Sequence, residues 1–280
     1  MIKLPEKIID FHVHLFPDRL FDAIWKHFIS DYGWDVLYHF YYRECVDHLR
    51  KNGIGTIAYS NYAHRKGMAK YLNEWNVKVL DEMPDLYCFA AYHPEDEDGP
   101  DMAASIVKHP KILGFKLQLL VQCFYPHDER LYPLYDIIME NGKWLLIHAG
   151  TGPVGNEFTG INHFKKLLKR YPDMHIIVPH MGALEYDEFG ALLDDYPNIY
   201  LDTSYSFISH VKIGFLSSRL GTEFLEKYQD RILYGSDFPN LVFPREDEIK
   251  TLLSLNLSPS FYDKVFWKNG WEIITSHLQS

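Results

Sequence analysis

The chain has 280 residues, 47% of them apolar and 24% charged, with a formal net charge of −10. These values exclude a disordered, collagen-like or coiled-coil chain, and an acidic balance without a dense Lys/Arg stripe speaks against nucleic acid as a partner. Cys45, Cys88 and Cys123 are odd in number and far apart, and the sequence has no apolar signal core and no 18-residue apolar run, so we expect a reducing cytoplasm, no disulfide framework and no membrane partner.

Eight short apolar runs recur along the chain. Ile8–His14 comes first, then Thr56–Ser60, Leu86–Ala91 and Ile112–Leu117. Trp144–His148, His175–His180, Ile199–Thr203 and Ile232–Asp237 complete the set. Such continuous apolarity suits parallel strands buried on both faces. Helical patterns lie between them. Leu131, Leu134, Tyr135 and Ile138 form an i, i+3, i+4, i+7 stripe that Gly142 is placed to end. Ile161, Phe164 and Leu168 repeat the pattern before Pro172, and Asp194-Asp195-Tyr196-Pro197 closes another helix. The alternation predicts an α/β fold, a (β/α)8 TIM barrel, although an open doubly wound sheet permits the same order. We read 1–280 as a single barrel domain.

Residues 15–42 are an irregular insertion after the first strand. They carry Phe16, Phe21, Trp25, Phe28, Tyr32, Trp34, Tyr38, Phe40, Tyr41 and Tyr42. In a barrel this segment sits on the active-site face, as a lid or pocket wall. A small satellite core, or an aromatic interface in a homodimer, fits the composition as well.

His12 and His14 are two apart on a strand, so both point to one face. His148, His180 and Asp237 end the fifth, sixth and eighth runs. Four strand ends thus bring four histidines and a carboxylate to one rim, a set suited to Zn2+, with Mn2+, Fe2+ or Co2+ as substitutes. Satisfied polar strand ends are the structural alternative.

The ordered motifs Asp10-Phe11-His12-Val13-His14, Gly114-Phe115-Lys116-Leu117, Ile147-His148-Ala149-Gly150, Pro179-His180-Met181-Gly182 and Gly235-Ser236-Asp237-Phe238-Pro239 resemble the amidohydrolase superfamily, and its amidohydrolase 2 branch in particular. Trp267-Lys268-Asn269-Gly270 resembles that branch's closing helix. The resemblance implies one divalent ion, Zn2+ first, held by His12, His14, His148 and Asp237. It makes Asp237 and His180 the catalytic pair, Asp237 taking a proton from a metal-bound water and His180 orienting it. Lys116 and His180 would serve a second metal, with Lys116 as a bridging carbamate, or would contact substrate.

Rim positions add substrate-binding candidates: Asn61, His64, Arg65, His93, Gln118 and Tyr205, with Gln122 and Tyr125 nearby. An arginine there would suit an anionic small-molecule substrate. Asp202-Thr203-Ser204 could form hydrogen bonds that orient a ligand, and Asp202 could equally cap a turn. His175 is read as structural, and His27, His39, His48, His109, His127, His163, His210 and His277 receive no chemical role. The expected function is metal-dependent hydrolysis of a small carbonyl compound: an amide, lactone or cyclic ester. The alternatives are a nonoxidative decarboxylase of an aromatic or muconate-type acid on the same ligands, with Arg43, Arg65 or a partner-chain arginine on the carboxylate, and a non-catalytic binding module.

Overall fold

The computed structural model describes residues 4–208 and 214–278. His210 lies outside the described residues, as does the side chain of His277. The strands are β1 (Ile8–His14), β2 (Ile54–Ser60), β3 (Leu86–Ala91), β4 (Ile112–Gln118), β5 (Trp144–His148), β6 (His175–Val178), β7 (Ile199–Asp202) and β8 (Ile232–Leu233). They pair in parallel in chain order. What separates a barrel from an open sheet is the seam between the last strand and the first. There Phe11 N donates to Tyr234 O at 2.8 Å, Asp237 N to His12 O at 2.8 Å, and His14 N to Phe238 O at 2.8 Å. The fold is therefore a (β/α)8 TIM barrel.

The helices are α1 (Asp18–His27), α2 (Tyr42–Lys51), α3 (Met68–Glu82), α4 (Gly99–Ile106), α5 (Leu119–Gln122) and α6 (Tyr132–Glu140) in the first half. The second half has α7 (Ile161–Arg170), α8 (Tyr186–Asp195), α9 (Gly221–Lys227), α10 (Arg245–Ser254), α11 (Pro259–Asp263) and α12 (Asn269–Leu278). The stripes read from sequence are the buried faces: Leu134, Tyr135 and Ile138 on α6, and Ile161, Phe164 and Leu168 on α7. No described helix is long and apolar enough to cross a membrane.

Two apolar clusters divide the core. The larger one fills the space between strands and helices. The smaller one fills the lower barrel with Ile9, Phe11, Phe89, Leu113, Leu146 and Ile177, and Ile273 and Ile274 of α12 close it from below. Asn269 ties that plug to the barrel, its Nδ2 donating to Gln229 O at 2.7 Å and Ile232 O at 2.8 Å.

Two strand ends differ from the sequence reading in a way that moves site residues. β6 ends at Val178 and β8 at Leu233, so His180 and Asp237 leave from loops rather than strand ends. Their φ values, +57° and +63°, are left-handed and incompatible with a strand. Pro179, which lacks an N–H, also marks the end of β6. The insertion is less irregular than expected: α1 buries Phe21 and Trp25, and Gly33, at φ +66°, turns the chain after it.

Candidate metal centre and active site

A shift in the β1–β2 register between Asp10 and Val13 shapes the site. An extra residue in one strand reverses the side-chain alternation beyond it. Ile9 and Phe11 therefore enter the lower core, while His12 and His14, beyond the irregularity, both reach the barrel mouth. Asp10 turns instead to the seam. Its carboxylate accepts Ser236 Oγ at 2.6 Å, Ser236 N at 3.0 Å and His12 N at 3.3 Å. One buried acid thus fixes the backbone beside both His12 and Asp237. Burial pushes its carboxyl up to about 6, against the hydrogen bonds from Ser236.

At the mouth His12 Nε2 lies 3.2 Å from His14 Nε2 and 3.4 Å from Asp237 Oδ1, and His14 Nε2 lies 2.9 Å from Asp237 Oδ1. Zinc–nitrogen bonds of about 2.0–2.1 Å in tetrahedral geometry separate neighbouring ligands by roughly 3.3 Å. The three atoms match that spacing, so they fit a small divalent ion. Burial pushes both imidazoles toward the neutral form that a ligand needs. Burial also acts to raise the Asp237 carboxyl, but the hydrogen bond from His14 and the surrounding imidazoles outweigh it and keep Asp237 ionised.

Hydrogen bonds fix the ring tautomers. His12 Nδ1 is 2.8 Å from Asp202 Oδ2, so it carries the proton and leaves Nε2 free as a ligand. His180 Nδ1 faces Ser204 O at 3.2 Å and Ser204 Oγ at 2.9 Å. A carbonyl only accepts, so His180 keeps Nε2 as its acceptor. Ser204 Oγ donates in turn to Asp202 Oδ1, which also accepts His180 N at 3.1 Å. His148 Nε2 donates to Gly152 O at 2.8 Å, and its buried Nδ1 has no partner. The His148 and His180 rings are 4.9 Å apart, and those of His180 and His12 5.3 Å. His148 packs on His180 with an unpartnered Nδ1, but it is in neither group of ligand atoms that lie within 4.8 Å of one another, which are His12, His14 and Asp237, and His12, His180 and Asp202.

Lys116 is fully buried on β4 and its Nζ has no partner. Burial pushes the ammonium down to about 8, and the Asp237 and Asp202 carboxylates oppose that shift. Above this floor opens a cavity of about 670 Å³. Phe16, Leu20, Ile24, Phe28, Tyr32 and Trp34 of the insertion form one wall. Trp34 stacks on Tyr205 with centroids 5.9 Å apart and planes 9° from parallel. The insertion therefore forms a cavity wall, one of the three readings left open by its composition.

The substrate-binding candidates separate by position. His64, Gln118 and Tyr205 line the cavity. Asn61, Arg65 and His93 do not. Asn61 Nδ2 donates to Leu15 O at 3.2 Å and Asn76 Oδ1 at 2.6 Å, joining β1, β2 and α3. Arg65 is exposed beyond the wall. His93 Nδ1 accepts Glu95 N at 3.3 Å and stabilises its own loop. Gln122 ties Ala63 O and Tyr92 O together, each at 2.8 Å, and Tyr125 meets Glu157 on the surface. His175 packs on Trp144, its ring centroid 4.7 Å away at the opposite end of the barrel strands. The sequence reading named Ser204 as part of the Asp202-Thr203-Ser204 group that could orient a ligand, and it gave no role to Asp10 or Ser236. Only the adjacency of each to a candidate ligand motif hinted at one.

Comparison with known proteins places this geometry among relatives. An uncharacterized TIM-barrel protein from Bordetella bronchiseptica is similar at TM-score 0.74 and 19% identity, over 97% of this chain and 99% of that one. The 5-carboxyvanillate decarboxylase of Novosphingobium aromaticivorans, solved with manganese and 4-hydroxy-3-methoxy-5-nitrobenzoic acid, is similar at TM-score 0.68 and 15% identity, covering 98% of both chains. A probable 2-pyrone-4,6-dicarboxylic acid hydrolase of Acinetobacter baumannii, with citric acid bound, gives 0.67 and 15%, over 96% of this chain and 99% of that one. Likeness at these identities establishes the fold. No curated protein sequence matches the chain. The model of the amidohydrolase family, in its amidohydrolase 2 form, matches residues 9–270, and the chain belongs to that family.

Proposed function

We propose that the chain is a metal-dependent hydrolase of a small carbonyl compound: an amide, lactone or cyclic ester. The carrying observation is the convergence of His12 Nε2, His14 Nε2 and Asp237 Oδ1 within 3.4 Å at the cavity floor. These residues, joined by His148, would hold one divalent cation, Zn2+ first and Mn2+ or Fe2+ as substitutes. Bound there, the ion supplies Lewis-acid polarisation and acidifies water. Asp237, kept ionised, accepts the proton of the attacking water and returns it to the leaving group. His180 orients that water through Nε2, held in place by Ser204 and Asp202. Lys116, with its unpartnered Nζ, is the residue a second ion would need as a carbamate.

A decarboxylase on the same ligands is the second reading. The aromatic cavity walls favour it, because they fit a benzoate-type ring. A screen of lactones, amides and aromatic acids with Zn2+ or Mn2+ separates the two: water addition marks the hydrolase, and CO2 release without it the decarboxylase. Asp237→Asn should lower kcat by roughly 10²–10⁴-fold with an unchanged circular dichroism spectrum. Full turnover after chelation would overturn the metal requirement.

A further inference from the structure

Tyr62 stands beside the candidate ligands, and the proposed function gives it no task. It follows β2 and lines the cavity together with His14 and Asp237. Its ring meets the His14 ring edge-on, with centroids 5.8 Å apart and planes at 85°, and meets Phe16 in the same way at 5.4 Å and 86°. Phe16 in turn lies nearly parallel to His14, at 6.2 Å and 13°. Three rings thus hold one another, so packing positions the tyrosine without help from its hydroxyl. Its neighbour Asn61 is committed to Leu15 O and Asn76 Oδ1, which fixes the chain leading into it. The cavity tyrosines differ in how they use their hydroxyls. Tyr205 donates to Asn240 O at 2.5 Å, and Tyr186 pairs with Ser206. Tyr62 makes no hydrogen bond to any described residue, although it is only 9% exposed. Tyr32 is unspent as well, but its ring contacts are with His27, Phe28 and Trp34 of the insertion. A buried phenol normally finds a partner. It is protonated at neutral pH, so what Tyr62 lacks is an acceptor.

We propose that Tyr62 is a further catalytic residue, whose O–H donates to the oxygen of the reacting carbonyl as that oxygen gains negative charge. A donor fixed in advance at that atom favours the charged, tetrahedral form over the planar one. The assignment rests on the proposed function for the identity of the reacting group, but the unspent donor beside His14 does not depend on it.

The test titrates phenylphosphonic acid, whose tetrahedral oxyanion imitates an attacked carbonyl, calorimetrically into the zinc-loaded protein. Tyr62→Phe keeps the ring and its packing and removes only the donor. It should weaken the phosphonate about tenfold or more, while zinc affinity, measured separately, stays within about twofold. An unchanged phosphonate affinity in Tyr62→Phe overturns the assignment, as does failure of the unaltered protein to bind the phosphonate with zinc or without it. Parallel loss of zinc and phosphonate affinity also overturns it, because the tyrosine then acts through His14. The phosphonate titrations are repeated in chelated protein. If no zinc binds and Tyr62→Phe still weakens the phosphonate, the metal reading fails and the Tyr62 assignment stands. If zinc binds and the substitution leaves the phosphonate unaffected, the reverse holds.

Discussion

At the residue scale the site depends on backbone conformations that side chains rarely adopt. His180, Tyr205 and Asp237 all have positive φ, at +57°, +57° and +63°. Such conformations persist where surrounding contacts over-determine them. Asp202 and Asp10 supply many of those contacts. Asp202 holds the His12 ring and the backbone of His180 and Ser204. Asp10 has a consequence for stability. Its carboxyl is pushed from 3.8 to about 6, so the folded state binds a proton more tightly than the unfolded chain does. Its contribution is therefore present below pH 4 and is lost as pH rises through 6. Asp10→Asn stays neutral throughout. The stability of the parent protein relative to this variant should fall by about 2 kcal/mol between pH 4 and pH 7. Urea unfolding of both proteins across that range checks this. A difference that is flat with pH would refute the shift.

At the scale of elements, the site is assembled from the seam between β8 and β1, the loop after β6 and the loop after β7. The seam leaves little room. A Cβ on Gly235 would lie 2.6 Å from His12 Cβ, closer than such atoms pack, so Gly235→Ala should push His12 off its position and weaken zinc affinity with little change in helix content. Unchanged zinc affinity by calorimetry would show that the seam gives way elsewhere. The closing plug can be tested separately. Asn269→Ala removes the donor to Gln229 O and Ile232 O and leaves buried carbonyls short of a partner. It should cost about 1–3 kcal/mol in denaturant unfolding with no change in metal affinity. The insertion is an element of a different kind: its helix packs Phe21 and Trp25 inward and turns Leu20 and Ile24 to the cavity, beside Phe16, Phe28 and Trp34 from the flanking segments.

At the scale of the whole molecule, the barrel brings together candidate ligands separated by more than two hundred residues, and the proposed site links folding to metal binding. An ion that binds the folded chain alone adds about 2.7 kcal/mol at a concentration one hundred times its Kd. For a chain of this length that corresponds to a Tm higher by roughly 5–10 °C. Zinc or manganese should produce this shift in chelator-treated protein, and His14→Ala should abolish it. An unchanged Tm with every divalent ion tried would remove the basis for the metal site.

The eight apolar runs, the helix stripes on α6 and α7, and the ligand motifs were legible in the sequence because each is set by local periodicity or by neighbouring residues. Strand parity placed His12 and His14 on one face, and the motif order pointed to the family. The sequence could not decide between barrel and open sheet, because closure rests on bonds between residues near positions 11–14 and 234–238. Nor could it separate His64, Gln118 and Tyr205, which reach the cavity, from Asn61, Arg65 and His93, which do not. That depends on where each loop turns and on which partners consume each polar group. The irregular register in β1 shows the same limit: Asp10 and His12 look equivalent by spacing, yet one holds the seam and the other faces the mouth. Local chemistry named the candidate ligands, and only the closed barrel, by setting distances between chain-distant atoms, selected which atoms meet.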